Sequence, residues 1–449
     1  MLRPLDIPRD ASGLFRSETT GDAALWQCID REVAMGPNRL PRNVRIDLSR
    51  PEFWAYWIAK SRVPIERAYE DSGLESHFAA HLFNQFDCSF DGDAPPQEFL
   101  TLALAGDLMC TPGLANSAGR LYERVADLIF DADVRYANLE STLTTQPLES
   151  LTFRKDTAPS VNISRDEYAA LVRHDVRSFN VLQLANNHVL DRGLEGIETT
   201  CRELEQQGIA GIGVNWVESN PSGLSITEHS GARIGWVAHT FSVNFKPIPA
   251  DHPNVVNFTP FHLEDDPDTS RIESQIRQCQ ELGCEFIVVG LHWGLEFEMY
   301  PHPDQLKWAR RFAQAGADLV VGHHPHVVQP MEILELPGNP VRYVPVIYSL
   351  GNFTPVFSHP ASAASMVVRV TLARDARRGN ARRLRFRSLE ATPVALLQEM
   401  QPAGPVLQLW RLRELLSQVN SHELATYAQE MARFIDMAVG TGWRQSGSR

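Results

Sequence analysis

A series of short apolar runs occupies the middle of the chain: "FLTLALAGD", "VRYANLE", "FNVLQLANNH", "RIGWVAHT", "EFIVVGLHWG", "DLVVGHHPH" and "VPVIYSLGN". Between them lie amphipathic stretches such as "RLYERVADLIF", "GLEGIETTCRELEQQG" and "DQLKWARRFAQAG". This alternation predicts the strands and helices of an α/β fold. The apolar runs carry no clean polar face at every second position, so the strands are expected to be covered on both sides, by helices or by a second sheet. Gly208 and Gly316 follow "CRELEQQ" and "WARRFAQA", where a helix C-terminus favours glycine.

The flanks read differently. Residues 1–96 form an expected N-terminal helical extension, with Trp54, Tyr56 and Trp57 as core aromatics and "DCSFDGDAPP" as its closing boundary. Residues 97–398 form the main domain, whose last part, around "RRGNAR", predicts an antiparallel hairpin. Residues 399–449 are expected to hold two amphipathic helices within "VLQLWRLRELLSQVNSHELATYAQEMARFIDMA", then a frayed tail, "GTGWRQSGSR".

Composition narrows the function classes. The 449 residues, 43% of them hydrophobic, are enough to bury a sizeable core. A formal net charge of −13 argues against general affinity for nucleic acid or anionic membranes. An anionic substrate then needs a local positive element, and bound metal ions are one way to supply it. Six cysteines without a CxxC pair suggest reduced, buried thiols. The chain shows no apolar leader-like segment at its start and no apolar run of membrane-spanning length, so it is expected to be cytoplasmic.

Five of the runs lead straight into polar clusters: Gly106-Asp107, Asn138-Leu139-Glu140, Asn186-Asn187-His188, His292-Trp293-Gly294 and His323-His324-Pro325-His326. In α/β sheets ligands gather where strand C-termini converge. Oxygen and imidazole donors without thiolate suit one or two divalent ions such as Mn, Fe or Zn.

In this order, "ALAGDLM", "ANLESTLT", "LANNHVLDRGLEGIETT", "GLHWGLEFEMYPHPDQ", "GADLVVGHHPHVVQP" and "YSLGNF" look like the motifs of the CapA family of poly-γ-glutamate capsule-synthesis proteins. That family resembles the calcineurin-like metallophosphoesterases. The resemblance spans roughly residues 99–357 and implies a layered β-sheet sandwich flanked by helices. It also implies metal ligands at Asp107, Glu140, Asn187, His292, His324 and His326, with His323 a competing choice, and a leaving-group acid at His188. Met109 stands where the usual Asp-x-His motif has its histidine, so that half of the site is thinner or is completed by His323.

Such a set implies metal-activated water attacking phosphorus, with His188 protonating the departing alcohol. Asp191 is read either as the group that orients His188 or as a helix N-cap. Glu296, Glu298 and Asn352 are candidate pocket residues, each with a bland alternative as solvated loop or tight turn. The expected function is hydrolysis of a phosphoester or related anionic substrate. The alternative is a poly-γ-glutamate biosynthesis or export factor that binds an anionic glutamyl polymer or hydrolyses a γ-glutamyl amide.

Overall fold

The computed structural model describes residues 2–14, 27, 31, 51–80, 82–88, 97–151, 159–216, 223–244, 246–338, 341–374, 384–419 and 421–445. Two sheets carry the fold. One is ordered Leu2–Arg3, Leu384–Gln401, Ala364–Arg374, Gln97–Leu108, Val134–Leu139, Val181–Gln183, Ala210–Ile212. The other runs Leu224–His229, Ala232–Thr240, Phe286–His292, Leu319–His323, Arg342–Ile347, Met331–Leu336.

The faces explain why the strands lack a polar side. Leu102, Leu104, Tyr136 and Val181 of the first sheet meet Trp236, Val288, Leu319 and Val321 of the second in one buried cluster between the sheets. Side chains alternate across a strand, so Ile287, Val289, Leu291 and Val320 point the other way, into a cluster with Ile276 and Phe312 of the helices Ser270–Glu281 and Pro303–Ala315. Leu139, Leu182 and Val367 face the opposite outer layer, which includes Leu171 of the helix Arg165–Val172. The sandwich is thus four layers, helix, sheet, sheet, helix, and Tyr136 stacks on Trp236 across its middle with centroids 5.6 Å apart.

Register brings the strand tips together. Gln97–Leu108, Val134–Leu139 and Val181–Gln183 run parallel, with Asp107 opposite Asn138. In the other sheet Phe286–His292 and Leu319–His323 run parallel, with His292 opposite His323. The short strand Asn352–Thr354 adds beside Gln97–Leu108, placing Asn352 opposite Asp107. That approach needs Gly106, because a Cβ there would sit 2.0 Å from the Gly351 carbonyl oxygen.

The flanks depart from expectation in several places. The stretch Gly404–Arg411, expected to begin a helix, is a strand antiparallel to Leu384–Gln401, and only then do the helices Leu412–Gln418 and His422–Val439 follow. The expected boundary at residue 398 therefore falls inside a strand. Trp443, expected in a frayed tail, is buried at 4% exposure and donates its indole N–H to Asp436. The predicted hairpin is present as Ala364–Arg374 against Leu384–Gln401, with its turn outside the described residues. In the N-terminal segment the helices Pro51–Arg62 and Leu74–Ala79 are accompanied by edge strands Leu2–Arg3 and Gln85–Asp87, both paired with Leu384–Gln401. Most of the expected boundary "DCSFDGDAPP" lies outside the described residues. Among the described residues no helix is long and apolar enough to cross a membrane.

Candidate metal centre

The polar tips of both sheets meet in one buried cluster. Asp107, Asn138, Glu140, His292 and His323 have no solvent exposure, and Asn187, His324 and His326 are at most 5% exposed. Asn138 organises the first sheet's contribution: its Nδ2 donates to Asp107 Oδ1 at 2.9 Å and lies 3.3 Å from His292 Nδ1. Asn186 in turn donates to the Leu139 carbonyl at 2.8 Å. From the second sheet, His292 Nε2 reaches Asn187 Oδ1 at 2.9 Å and stands 3.5 Å from Glu140 Oε1. His326 Nε2 stands 3.7 Å from the same Glu140 oxygen. Its Nδ1 meets Asn352 Oδ1 at 2.8 Å and lies 3.5 Å from Asp107 Oδ2.

Among the described residues three sets of donor atoms each lie within 4.8 Å of one another: Glu140 with His292 and His324; Asp107 with Glu140 and His326; and Glu296 with His324 and His326. Glu140 belongs to the first two sets. Among the described residues its Oε1 and the Nδ1 of His324 have no hydrogen-bond partner though both are buried, a costly state for polar atoms unless something else satisfies them.

Electrostatics point the same way. Burial and the charge of Asp107 push the Glu140 carboxyl well above the carboxylate range. Burial also opposes ionisation of Asp107, but hydrogen bonds from His323 and His326 hold it well below that range. Burial keeps His292 and His324 neutral, which is the form that ligates a metal. Two adjacent carboxylates, orphaned donor atoms and neutral imidazoles are what a divalent cation relieves, so the residues fit one.

His323 stands apart from these sets. Its Nδ1 is 2.8 Å from Asp107 Oδ1 and its Nε2 is 3.0 Å from the Tyr136 hydroxyl, so both ring nitrogens are engaged beneath the carboxylate. It touches Asp107 from beneath, and the Met109 side chain packs in an apolar cluster with Leu108 and Phe357.

At the rim, His188 Nδ1 lies 2.6 Å from Asp191 Oδ2. Asp191 Oδ2 also accepts from the Val161 amide, and its Oδ1 accepts from Lys246 Nζ at 2.5 Å. The residue that caps the helix Gly193–Gln206 is Arg192, with no side-chain cap bond, so Asp191 serves His188 and not the helix. Asn244 bridges Asn187 and His188 at 3.2 and 3.4 Å.

Sequence reasoning missed Lys246, Asn244, Asn138 as organiser and Tyr136. Asn138 alone carried a signal, lying in the same strand-end cluster as Glu140. Of the weaker candidates, Glu296 Oε1 lies 3.6 Å from His326 Nε2. Glu298 faces away, buried against Lys60 Nζ and the Tyr56 hydroxyl, each at 3.1 Å.

Comparison with known proteins adds the family. The profile described as bacterial capsule synthesis protein PGA_cap matches residues 101–356, more than half of the chain. The PGA biosynthesis protein CapA of Bacillus subtilis is 28% identical over 298 residues, covering 66% of this chain and 67% of that protein. The capsule biosynthesis protein CapA of Bacillus anthracis is 25% identical over 262 residues, 57% of this chain and 60% of the relative. The chain thus spans about two thirds of the length of these relatives. Among solved structures, the calcineurin-like phosphoesterase YfkN of Bacillus subtilis aligns at TM-score 0.33 and 11% identity, over 75% of this chain and 99% of that one. A hypothetical protein from Thermus thermophilus aligns at TM-score 0.35 and 16% identity, over 69% and 99%. The match over residues 101–356 contains every strand tip that builds the buried cluster, and by it the chain belongs to the bacterial capsule synthesis protein PGA_cap family.

Proposed function

We propose that the chain is a metal-dependent hydrolase acting on a phosphoester or related anionic substrate. The observation that carries this reading is the orphaned Oε1 of buried Glu140, flanked by His292 Nε2 at 3.5 Å and His326 Nε2 at 3.7 Å. Glu140 would be shared between two halves, with Asn187, His292 and His324 on one side and Asp107 and His326 on the other. The chemistry that divalent cations supply when bound there is neutralisation of an anionic substrate and activation of water at neutral pH.

The remaining steps belong to the chain. His188 protonates the leaving oxygen through Nε2, because Asp191 occupies Nδ1. The Lys246 ammonium balances Asp191 and keeps that carboxylate aimed at the ring. Asn352 fixes the orientation of His326 through Nδ1. Phe241 packs on His324 and Phe297 on His326, with ring centroids 4.7 and 6.1 Å apart, and this apolar cover strengthens each of these interactions.

A second reading comes from the names of the relatives. A factor of PGA biosynthesis would use the same cationic centre to hold a glutamyl polymer, or to hydrolyse its γ-glutamyl amide. A hydrolysis screen with and without Mn, over phosphomonoesters, phosphodiesters and γ-glutamyl peptides, separates these readings. Turnover of a phosphoester that is lost in His188→Ala supports the first. Binding of polyglutamate without turnover of any of them overturns it.

A further inference from the structure

The half of the centre around Asp107 offers three donor residues, one fewer than a four-coordinate site takes. Met109 is buried in an apolar cluster, and a thioether is a poor partner for a hard divalent ion. What remains is Asp107, Glu140 and His326. A further carboxylate approaches from outside that set: Glu296, whose own donor set is with His324 and His326, places Oε1 3.6 Å from His326 Nε2, the nitrogen that also faces Glu140 Oε1 at 3.7 Å.

Donor atoms bound to one tetrahedral cation at about 2.0–2.2 Å lie roughly 3.3–3.6 Å apart. Both separations from His326 Nε2 are close to that spacing. Independently, Glu140 Oε1 is buried and unpartnered beside it. Glu296 is held by the Trp57 indole N–H. Trp57 lies on the helix Pro51–Arg62, which is outside the family-matched residues, and it packs against Phe297 with centroids 6.3 Å apart.

We propose that Glu296 is a further metal ligand at His326, completing the half built from Asp107 and Glu140, and that Trp57 positions it. This rests on the metal-centre reading above. A third carboxylate makes that half harder and more negative, which favours Mn over Zn there. It also makes the N-terminal helix part of the metal site.

The test is titration of the apo full-length protein with Mn by calorimetry, with electron paramagnetic resonance of the bound ion, for wild type, Glu296→Gln, Glu296→His and Trp57→Phe. Wild type is expected to bind two ions with a spin-coupled spectrum. Glu296→Gln is expected to keep one ion with an isolated six-line spectrum, and that retained ion reports that the variant is folded. Glu296→His is expected to restore the second site with a shifted preference toward Zn. Trp57→Phe is expected to weaken the second ion roughly tenfold. Two ions bound by Glu296→Gln as tightly as by wild type would overturn the role of Glu296 and leave the centre standing. A single wild-type ion that Glu296→Gln retains would do the same. No ion bound by wild type would overturn both the ligand and the centre.

Discussion

His188 and Asp191 are joined by a 2.6 Å contact between Nδ1 and Oδ2, and Lys246 holds the other carboxylate oxygen at 2.5 Å. An imidazole fixed at Nδ1 has one nitrogen left to pass a proton. Removing it should matter in proportion to how much the leaving group needs that proton. His188→Ala is therefore expected to lower kcat about 100-fold or more for alkyl phosphoesters, and far less for nitrophenyl esters, whose leaving group departs as a stable anion. Metal content should be unchanged. Equal losses for both substrate types would remove the acid role.

Beneath the centre, the Tyr136 hydroxyl donates to Gln183 Oε1 at 2.8 Å and meets His323 Nε2 at 3.0 Å. Tyr136→Phe leaves both groups buried without that partner. The expected cost is about 1–3 kcal/mol in denaturant unfolding, together with roughly tenfold weaker metal binding, because His323 no longer holds Asp107 in one orientation. Metal affinity equal to wild type would show that this support is structural only.

The Lys60 and Glu298 pair ties the N-terminal helix to the loop after His292, with side-chain exposures of 5% and 2%. Lys60→Met strands a buried carboxylate and should cost about 3–5 kcal/mol. The double variant Lys60→Met with Glu298→Leu should recover much of that loss, since no charge is then left buried. Urea melts of the three proteins check it, and a double variant less stable than the single would contradict it.

Acid should destabilise the fold in a defined window. Burial pushes His239 down to about 4, although Gln275 accepts at Nε2 at 2.8 Å. Burial, helped by the charge of Arg9, pushes His359 down to about 4 as well. Both rings are neutral when folded, whereas in the unfolded chain they protonate near about 6.5. The unfolded state therefore binds more protons between these values. The contribution is fully present above about 6.5 and is lost as pH falls through about 4, a few kcal/mol for the pair. The urea midpoint should drop across that window, with a shallower slope in His239→Gln. A midpoint that rises on acidification would contradict the assignment.

Much of the cluster was legible because each donor sits one step beyond an apolar run, so Asp107, Glu140, His292 and the 323–326 histidines mark strand tips without any knowledge of pairing. Lys246 and Asn244 lie on a loop more than 50 residues from their partners, and nothing periodic marks them. His323 shows the limit of counting donors, since only the packing of one sheet on the other places it under Asp107 and Tyr136. The strand Gly404–Arg411 was misread because "VLQLW" runs straight into an amphipathic helix, and its pairing with Leu384–Gln401 decides its form. Trp57 is expected as core in preference to a ligand platform; it packs part-exposed against the core, and its indole N–H also serves Glu296.

The central proposal is that Glu140 would hold divalent cations at the meeting point of both sheets. Metal analysis of the Mn-reconstituted protein, wild type beside the isosteric Glu140→Gln, tests it most directly. The prediction is stoichiometric Mn in wild type and loss of it, or at least a hundredfold weaker binding, in Glu140→Gln at unchanged secondary structure. Wild-type protein that retains no divalent ion, or a Glu140→Gln variant that binds as tightly as wild type, would contradict it.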